Sequence, residues 1–446
     1  MVMGLAASAL VLLALPASPR ARAVIVSTLV MLALAVFQTG NGREGFSATF
    51  TTLTLLTVAG AALLLPRRHR LITAFLPLLA YLAIGYVFLW PSNPGITGNT
   101  LNLAVAVSGW VVGVWLCGAL GDTPNGLAIL TRILFLIVLF EAVVSLLQLA
   151  GIPLFPLTGR TLDLEGGRVN GTYTHPSTSG KVATLLLVLL LPATKVAEAS
   201  TRRYAYFAII LSAVPVFATL SRANTVALLA MVLVWSLIQP REKYLGARFV
   251  LPAVVGIAGL FVLDEILARF AADPEGGARD RFLEAALQQL GQTPVFGVGP
   301  GQYIRSVGSF DQLTSEGWPV HNIFVLEAVE LGLIGAVLLF APIVWTVIVA
   351  LRSSRAIGPG GDQARAVLAY VPALIAIGTT GWGLIDVPMS ALLMFTMGFA
   401  GTQIVTDRRR LAANSSNLVQ ADNAPRGAFG PAGRPINRSA RLRGLT

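Results

Sequence analysis

A succession of thirteen apolar runs, separated by mostly short polar connections, constrains this chain more than any other feature. The runs fall at about 2–16, 23–39, 47–65, 71–90, 102–120, 126–149, 178–194, 204–220, 223–238, 247–263, 322–350, 366–384 and 387–404. A helix needs roughly 17 to 25 apolar residues to cross the hydrocarbon core of a bilayer. In lipid every backbone N–H and C=O must be satisfied within the spanning structure, so each run is expected to be helical. The first run is short and ends at Pro16. It reads as a weak span or as a re-entrant or interfacial segment. A cleaved signal peptide fits less well, because a second apolar run follows at once. The expected fold is all-α: a polytopic integral membrane protein with twelve or thirteen transmembrane helices.

Composition agrees. Of 446 residues, 55% are hydrophobic and only 12% are charged, against about 25% charged in a soluble domain. The mean hydropathy is +0.74. Three histidines and one cysteine leave no material for a disulfide scaffold or a His/Cys-rich metal site. Cys117 lies inside an apolar run and reads as buried filler. The net charge of +11 does not by itself imply nucleic acid, because much of it lies in short connections and a tail, where membrane orientation places it.

Those charges orient the chain. Arg20 and Arg22, then Arg67, Arg68 and Arg70, then Lys195, Arg202 and Arg203, then Arg241, Lys243 and Arg248, then Arg352, Arg355 and Arg365 fall at alternating boundaries. With Arg408, Arg409 and Arg410 they fit one face, expected to be cytoplasmic. The opposite face receives 150–177, 264–321, the tight turn at Ser221–Asn224 and the stub near Asp386. Four regions follow: an N-terminal membrane bundle over 1–263 with its outer loop 150–177, a large outer loop over 264–321, C-terminal spans over 322–404, and a basic tail over 405–446. The tail is rich in Asn, Ser, Pro, Gly and Arg, and is expected to be disordered and cytoplasmic. Within the large loop, Asp280 to Leu290 carries Leu and Ala at 283, 286, 287 and 290, the spacing of a short amphipathic helix. Thr293-Pro294 ends it, and Gly297-Val298-Gly299-Pro300-Gly301 makes a sharp turn. Such a helix can lie across the membrane rim as a lid.

Several residues can carry chemistry at the outer face. Arg222 sits between two apolar runs with almost no loop around it. Either it snorkels and fixes helix ends, or its planar fork serves phosphate oxygens. A positive charge there is not what orientation requires, which favours phosphate. Arg168 and His175 lie just before the seventh run, where His175-Pro176-Ser177-Thr178 can also cap the helix through Ser177 or Thr178. Lys181 enters the same run early and can snorkel. Arg279 and Arg281 open the loop helix, either as a solvated face or as partners for a diphosphate. His321 and Asn322 precede the eleventh run, with Asn322 a possible cap and His321 able to accept a proton near neutral pH. Glu141, Glu327 and Glu330 lie within apolar runs, where carboxylates normally face a bundle interior or a cavity. They suit either internal pairing or a proton-coupling path. Gly332 and Gly335 permit close helix contact.

In combination, Arg168-x-x-Gly171-x-x-x-His175-Pro176, Ser221-Arg222, the Arg279 helix leading to Thr293–Gly301, and His321-Asn322 with Glu330-x-Gly332-x-x-Gly335 resemble the O-antigen ligase and polymerase superfamily. The resemblance covers about 20–404 and is strongest over 165–340. It implies a bacterial inner-membrane glycosyltransferase of the GT-C type, with its active site facing the periplasm. The implied donor is a glycan on undecaprenyl diphosphate. The acceptor is a glycan, a lipid or a protein, and no metal or other cofactor is needed. By position, Arg222 and Arg279 are implied to hold the diphosphate and His321 to assist the acceptor. Arg281 takes the place of Arg279 if the register shifts, and Arg168, His175 and Asn322 are further candidates for binding donor or acceptor. The sequence departs from the family at Ser177, where Asn is common, and at Leu283, where an aromatic residue is usual. The competing expectation is a secondary transporter or flippase of lipid-linked glycans, which would use Glu141, Glu327 and Glu330 for coupling. That class usually shows repeat symmetry or broken helices, and no repeat is evident here.

Overall fold

Every one of the thirteen apolar runs forms a helix in the computed structural model, which describes residues 2–36, 49–64, 70–152, 154, 168–173, 175–240, 249–272, 278–381, 384 and 386–423. Among the described residues the first half comprises α1 (Val2–Ala14), α2 (Pro19–Ala35), α3 (Phe50–Leu64), α4 (Leu76–Ile84), α5 (Ile96–Gly121), α6 (Gly126–Leu149), α7 (Pro176–Ala193), α8 (Ala199–Ala218) and α9 (Arg222–Ile238). The second half comprises α10 (Val250–Leu260), α11 (Leu263–Ala272), α12 (Arg279–Gln292), α13 (Tyr303–Val307), α14 (Gln312–Ser315), α15 (Ile323–Ser353), α16 (Pro359–Thr380) and α17 (Val387–Asn423). A 3₁₀ turn over Arg70–Phe75 and a π turn over Gly85–Leu89 flank α4. The chain is an all-α, multi-pass membrane protein.

Among the described residues five helices, α5, α6, α7, α15 and the stretch Val387–Ser415 of α17, are long and apolar enough to cross a membrane by themselves. Others are shorter. The run expected over 247–263 is helical in α10 only from Val250 to Leu260, and α11 then starts at Leu263. Eleven helical residues rise about 16 Å, well short of a hydrocarbon core of about 30 Å. Large apolar side chains such as Leu64, Phe207 and Phe261 are exposed on the outside of the bundle, the arrangement lipid favours.

The closest seam joins α5 to α17. A Cβ added at Gly109 would lie 2.2 Å from the Ala391 carbonyl oxygen, and one at Gly113 would lie 2.2 Å from that of Phe395. From the other side, Gly398 fits against the Trp110 carbonyl, where a Cβ would stand 2.7 Å away. Small residues one turn apart let backbones touch, and lipid-embedded helices associate through such packing.

Two ends of the bundle are knitted differently. At one end Thr123 Oγ1 reaches the Pro19 carbonyl, Arg132 pairs with Glu198 at 3.5 Å, and Asp407 accepts the Gly360 N–H at 3.0 Å. Arg365, expected in a cytoplasmic connection, is buried here. It donates to the Ser354 carbonyl and to Asp362, each at 2.5 Å, and so closes the C-terminus of α15. At the other end the long loops meet. Arg168 donates to the Thr219 carbonyl at 2.9 Å, Asn224 to the Ser177 carbonyl at 2.9 Å, and Asn93 to the Val298 carbonyl at 2.7 Å.

Three expectations change on this scaffold. The first part of the tail expected over 405–446 is helical rather than disordered, because α17 continues through Asn423. The added turns carry Ala, Leu, Arg and Gln, all good helix formers. The remaining tail, the expected loops over 37–48, 65–69, 155–167 and 241–248, and the stretch 273–277 lie outside the described residues. The loop helix α12 buries Phe282, Ala285, Ala286 and Gln289, whereas Leu287 is exposed and Leu283 and Leu290 are half-buried. The buried stripe is rotated because Phe282, the largest apolar side chain on the helix, takes the inner face. Finally, Gly332 is not simply a small contact residue. Its φ of 67° interrupts α15, a backbone conformation that only glycine adopts cheaply.

Candidate active site

The site is built where two loops enter the knitted end. The first loop runs through 168–173. Gln148 of α6 accepts the Gly171 N–H at 2.8 Å and donates to its carbonyl at 2.7 Å. Glu141, two turns earlier on the same face of α6, accepts the Thr172 hydroxyl at 2.5 Å and the Thr172 N–H at 3.3 Å. Tyr173 donates to the Ala35 carbonyl. Glu141, 5% exposed, thus fastens a loop to the bundle.

The second loop docks into the break in α15. Gly299 donates to the Glu330 carbonyl at 2.8 Å, Val298 to the Val329 carbonyl at 3.0 Å, and Leu333 to the Pro294 carbonyl at 2.8 Å. Around Gly332 the helix cannot use its own carbonyls, and the turn supplies the missing partners. The Glu330 carboxylate accepts the Gly301 N–H at 2.7 Å and the Tyr303 N–H at 3.3 Å. Tyr81 locks the junction by donating to the Leu331 carbonyl at 2.5 Å. Backbone approach leaves no room for a side chain at Gly297, where a Cβ would lie 2.3 Å from the Gly332 nitrogen. Glu141 and Glu330 therefore have loop-holding partners, which accounts for their depth without a coupling path.

Between these anchors lies a basic mouth. Asn322 caps α15, its Oδ1 accepting from Phe324 N–H at 3.0 Å and Val325 N–H at 3.2 Å. That cap holds His321 at the helix entrance. The His321 ring stacks on Phe282 of α12 with centroids 5.7 Å apart. Its Nδ1 is buried and has no hydrogen-bond partner among the described residues. Burial lowers the His321 pKa from the usual 6.5; the Arg279 and Lys181 charges lower it further, and a hydrogen bond to the Pro319 backbone opposes them. The aromatic contact to this histidine comes from Phe282, not from position 283.

Arg279 and Arg281 part company. Two residues along a helix face nearly opposite sides. Arg279 stands at the first turn of α12, with its charge bearing on His321. Arg281 pairs with Asp311, both Nε and Nη2 at 2.9 Å. Asp311 in turn caps α14 by accepting from Thr314. Burial pushes the Asp311 carboxyl up, but Thr314 and Arg281 outweigh it and hold the pKa below the carboxylate norm.

At the start of α9, Ser221 caps the helix and sets Arg222 at its first position. Arg168 anchors beside it on Thr219. His175 itself caps α7, Nδ1 accepting the Ser177 N–H at 3.1 Å, so the cap lies ahead of both Ser177 and Thr178. A Cβ at Gly180 would lie 2.4 Å from Asn224 Nδ2, so α7 and α9 start nearly in contact.

Two residues of the mouth were not evident from sequence as site residues. Lys181 is only 5% exposed and does not snorkel. Its Nζ lies 3.4 Å from Ser177 Oγ, and its charge bears on both His321 and Asp386. One turn separates it from Ser177 on the same face of α7, a spacing that could have flagged it. Asp386 enters from a connection with no local signal of its own. Glu327, 6% exposed, and Asp386 both line a cavity that begins at this mouth.

Residues 207–340 match the family model described as O-antigen ligase. This match, over about a third of the chain, supports assignment to the O-antigen ligase and polymerase superfamily. The matched segment contains Arg222, Arg279, Arg281, His321, Asn322, Glu327 and Glu330, while Arg168, His175, Glu141, Lys181 and Asp386 lie outside it. No curated protein matches the chain. The match supports, at the level of the family, an O-antigen ligase-like or polymerase-like enzymatic role for this membrane protein.

Proposed function

We propose that this protein transfers or polymerises glycans from undecaprenyl diphosphate at the periplasmic face of the bacterial inner membrane, with inversion and without a metal. The C-terminus would then be cytoplasmic. What supports this reading is the basic mouth: Arg279 and Lys181 both bear on His321, and α9, which opens with Arg222, starts against α7 beside Lys181, with Arg168 fastened at Thr219. The diphosphate meets Arg222 and Arg279, with Arg168 as a third charge, and these cations stabilise the leaving group as its negative charge grows.

The acceptor hydroxyl approaches the anomeric carbon from the side opposite the diphosphate. Its oxygen forms the new C–O bond as the bond to the diphosphate oxygen breaks. The electron pair leaves on the diphosphate, and the hydroxyl proton passes to His321. Suppressed protonation suits that role, because a histidine already charged cannot accept the proton. Asn322 and His175 serve by setting helix starts that aim their neighbours. Arg281 supports the loop helix through Asp311.

The test uses the purified chain in lipid with undecaprenyl-diphosphate glycan and candidate acceptors, reading products by gel and mass. Transfer is expected to fall at least about a hundredfold in Arg222→Ala and in His321→Ala, the scale set by loss of an electrostatic or acid–base group. A ladder of repeats in the unaltered protein means polymerase, and a single addition means ligase. Unchanged transfer in Arg222→Ala sinks the reading.

A further inference from the structure

The mouth continues into a cavity whose chemistry is opposite in sign. A funnel runs between α5, α15 and α17. Near the loop-bearing end its lining includes Asn99, Asn102, Glu327 and Asp386, and deeper along the same helices it is lined by Leu103, Leu339, Phe340 and Met394. Among the described residues neither lysine nor arginine lines it. Asn99 is 8% exposed, and its Oδ1 has no hydrogen-bond partner among the described residues. Buried polar atoms are nearly always paired, so such an oxygen points to a donor that is brought by a ligand. Gly301 packs directly against this amide and holds it at the cavity wall: a Cβ there would lie 2.3 Å from Asn99 Nδ2.

This rim offers acceptors and negative charge. A diphosphate is repelled from it, whereas hydroxyl or ammonium hydrogens are attracted. The funnel also adjoins the reacting histidine. Ile323, two residues beyond His321, lines it, and Lys181 interacts with both His321 and Asp386. Lys181 therefore stands at the boundary between a basic compartment and an acidic one.

We propose that this funnel is the acceptor site, taking a neutral or amino sugar by its hydroxyl and ammonium donors, with an apolar aglycone directed inward, and excluding sugars that bear carboxylate or phosphate. The proposal rests on the glycosyl-transfer reading for its role, but not for its binding chemistry.

Binding of 4-nitrophenyl glucoside, glucosaminide and glucuronide to the full chain in nanodiscs tests it, measured by saturation-transfer NMR against empty nanodiscs. The first two are expected to bind, and the glucuronide at least about tenfold more weakly, a difference worth one decade in Kd. Asn99→Leu removes the orphan acceptor and Ser390→Phe fills the funnel from the α17 wall. Each is expected to weaken glucoside binding at least about fivefold, while undecaprenyl diphosphate still binds and so certifies the fold. Glu327→Gln is expected to narrow the gap between glucoside and glucuronide. Equal binding of glucuronide, or glucoside binding indifferent to both Asn99→Leu and Ser390→Phe, overturns the proposal. Intact transfer in Arg222→Ala would instead remove the catalytic reading and leave the glycoside result to stand by itself.

Discussion

Two loops enter the same end of this bundle, and each is fastened by a buried glutamate, yet the helices beneath them differ. Under the first loop α6 is continuous, so its side chains hold the loop to that helix: Glu141 takes Thr172, and Gln148 takes both polar backbone groups of Gly171. Under the second loop α15 is broken at Gly332, and backbone pairs with backbone, with Glu330 closing the turn at Gly301 and Tyr303. An intact helix has no spare carbonyls to offer, whereas a broken one must find partners for those it frees. The second anchor therefore ties the loop more rigidly, and it is the loop that leads on to His321.

The sharpest way to break that contrast is to place a methyl group in each anchor. In Gly332→Ala the new Cβ would lie 2.1 Å from the Val295 carbonyl oxygen at a φ of 67°. At Gly171, φ 62°, it would lie 2.7 Å from Glu141 Oε2, the end of a side chain that can move. Gly332→Ala is expected to cost about 3 kcal/mol or more, and Gly171→Ala about 1–2 kcal/mol. Thermal unfolding in nanodiscs reads both, and an equal or reversed order would show that the break is not the stiffer anchor.

The carboxylates give the next test. Glu330→Ala strands two backbone N–H groups and is expected to cost about 2–4 kcal/mol. Glu141→Gln keeps an acceptor for Thr172 and is expected to cost about 1 kcal/mol. If proton coupling were the purpose of these residues, Glu141→Gln would abolish function at unchanged stability, so transfer and melting measured together separate the two.

A smaller effect concerns pH. Only neutral His321 can take a proton, so transfer should rise with pH through the His321 pKa. Burial, Arg279 and Lys181 place that pKa below 6.5, and the acid limb should lie below 6.5 as well. Lys181→Met removes one positive neighbour, and the limb is expected to move upward, toward 6.5. A pH–rate profile that stays put or moves down would disconnect Lys181 from the histidine.

The smallest effect is predicted for Arg281→Ala. The arginine is about half exposed and its partner Asp311 is buried, so solvent screening holds the loss to about 1 kcal/mol. Transfer should stay within about threefold of normal by the same reasoning. A loss as large as that of Arg279→Ala would return Arg281 to the diphosphate.

The helical runs and the glycine turn at 297–301 were legible in the chain. Length and hydropathy force a helix on a segment in lipid, and a short motif keeps its local geometry wherever it is placed. Partner choice was not legible. Arg279 and Arg281 look alike in sequence, and only the rotation of α12 set by Phe282 turns one toward His321 and the other toward Asp311. Likewise Lys181 reads as a snorkelling lysine until the folded chain brings His321 and Asp386 beside it, from 140 and 205 positions away (321 − 181 and 386 − 181). Sequence by itself determined which segments are helical, how far they reach and where charge gathers, because those follow from local chain physics. Tertiary structure alone decided which carboxylates hold loops and which line the funnel, and which cations share the mouth. Such pairings depend on contacts between residues far apart in the chain, whose geometry no local pattern encodes.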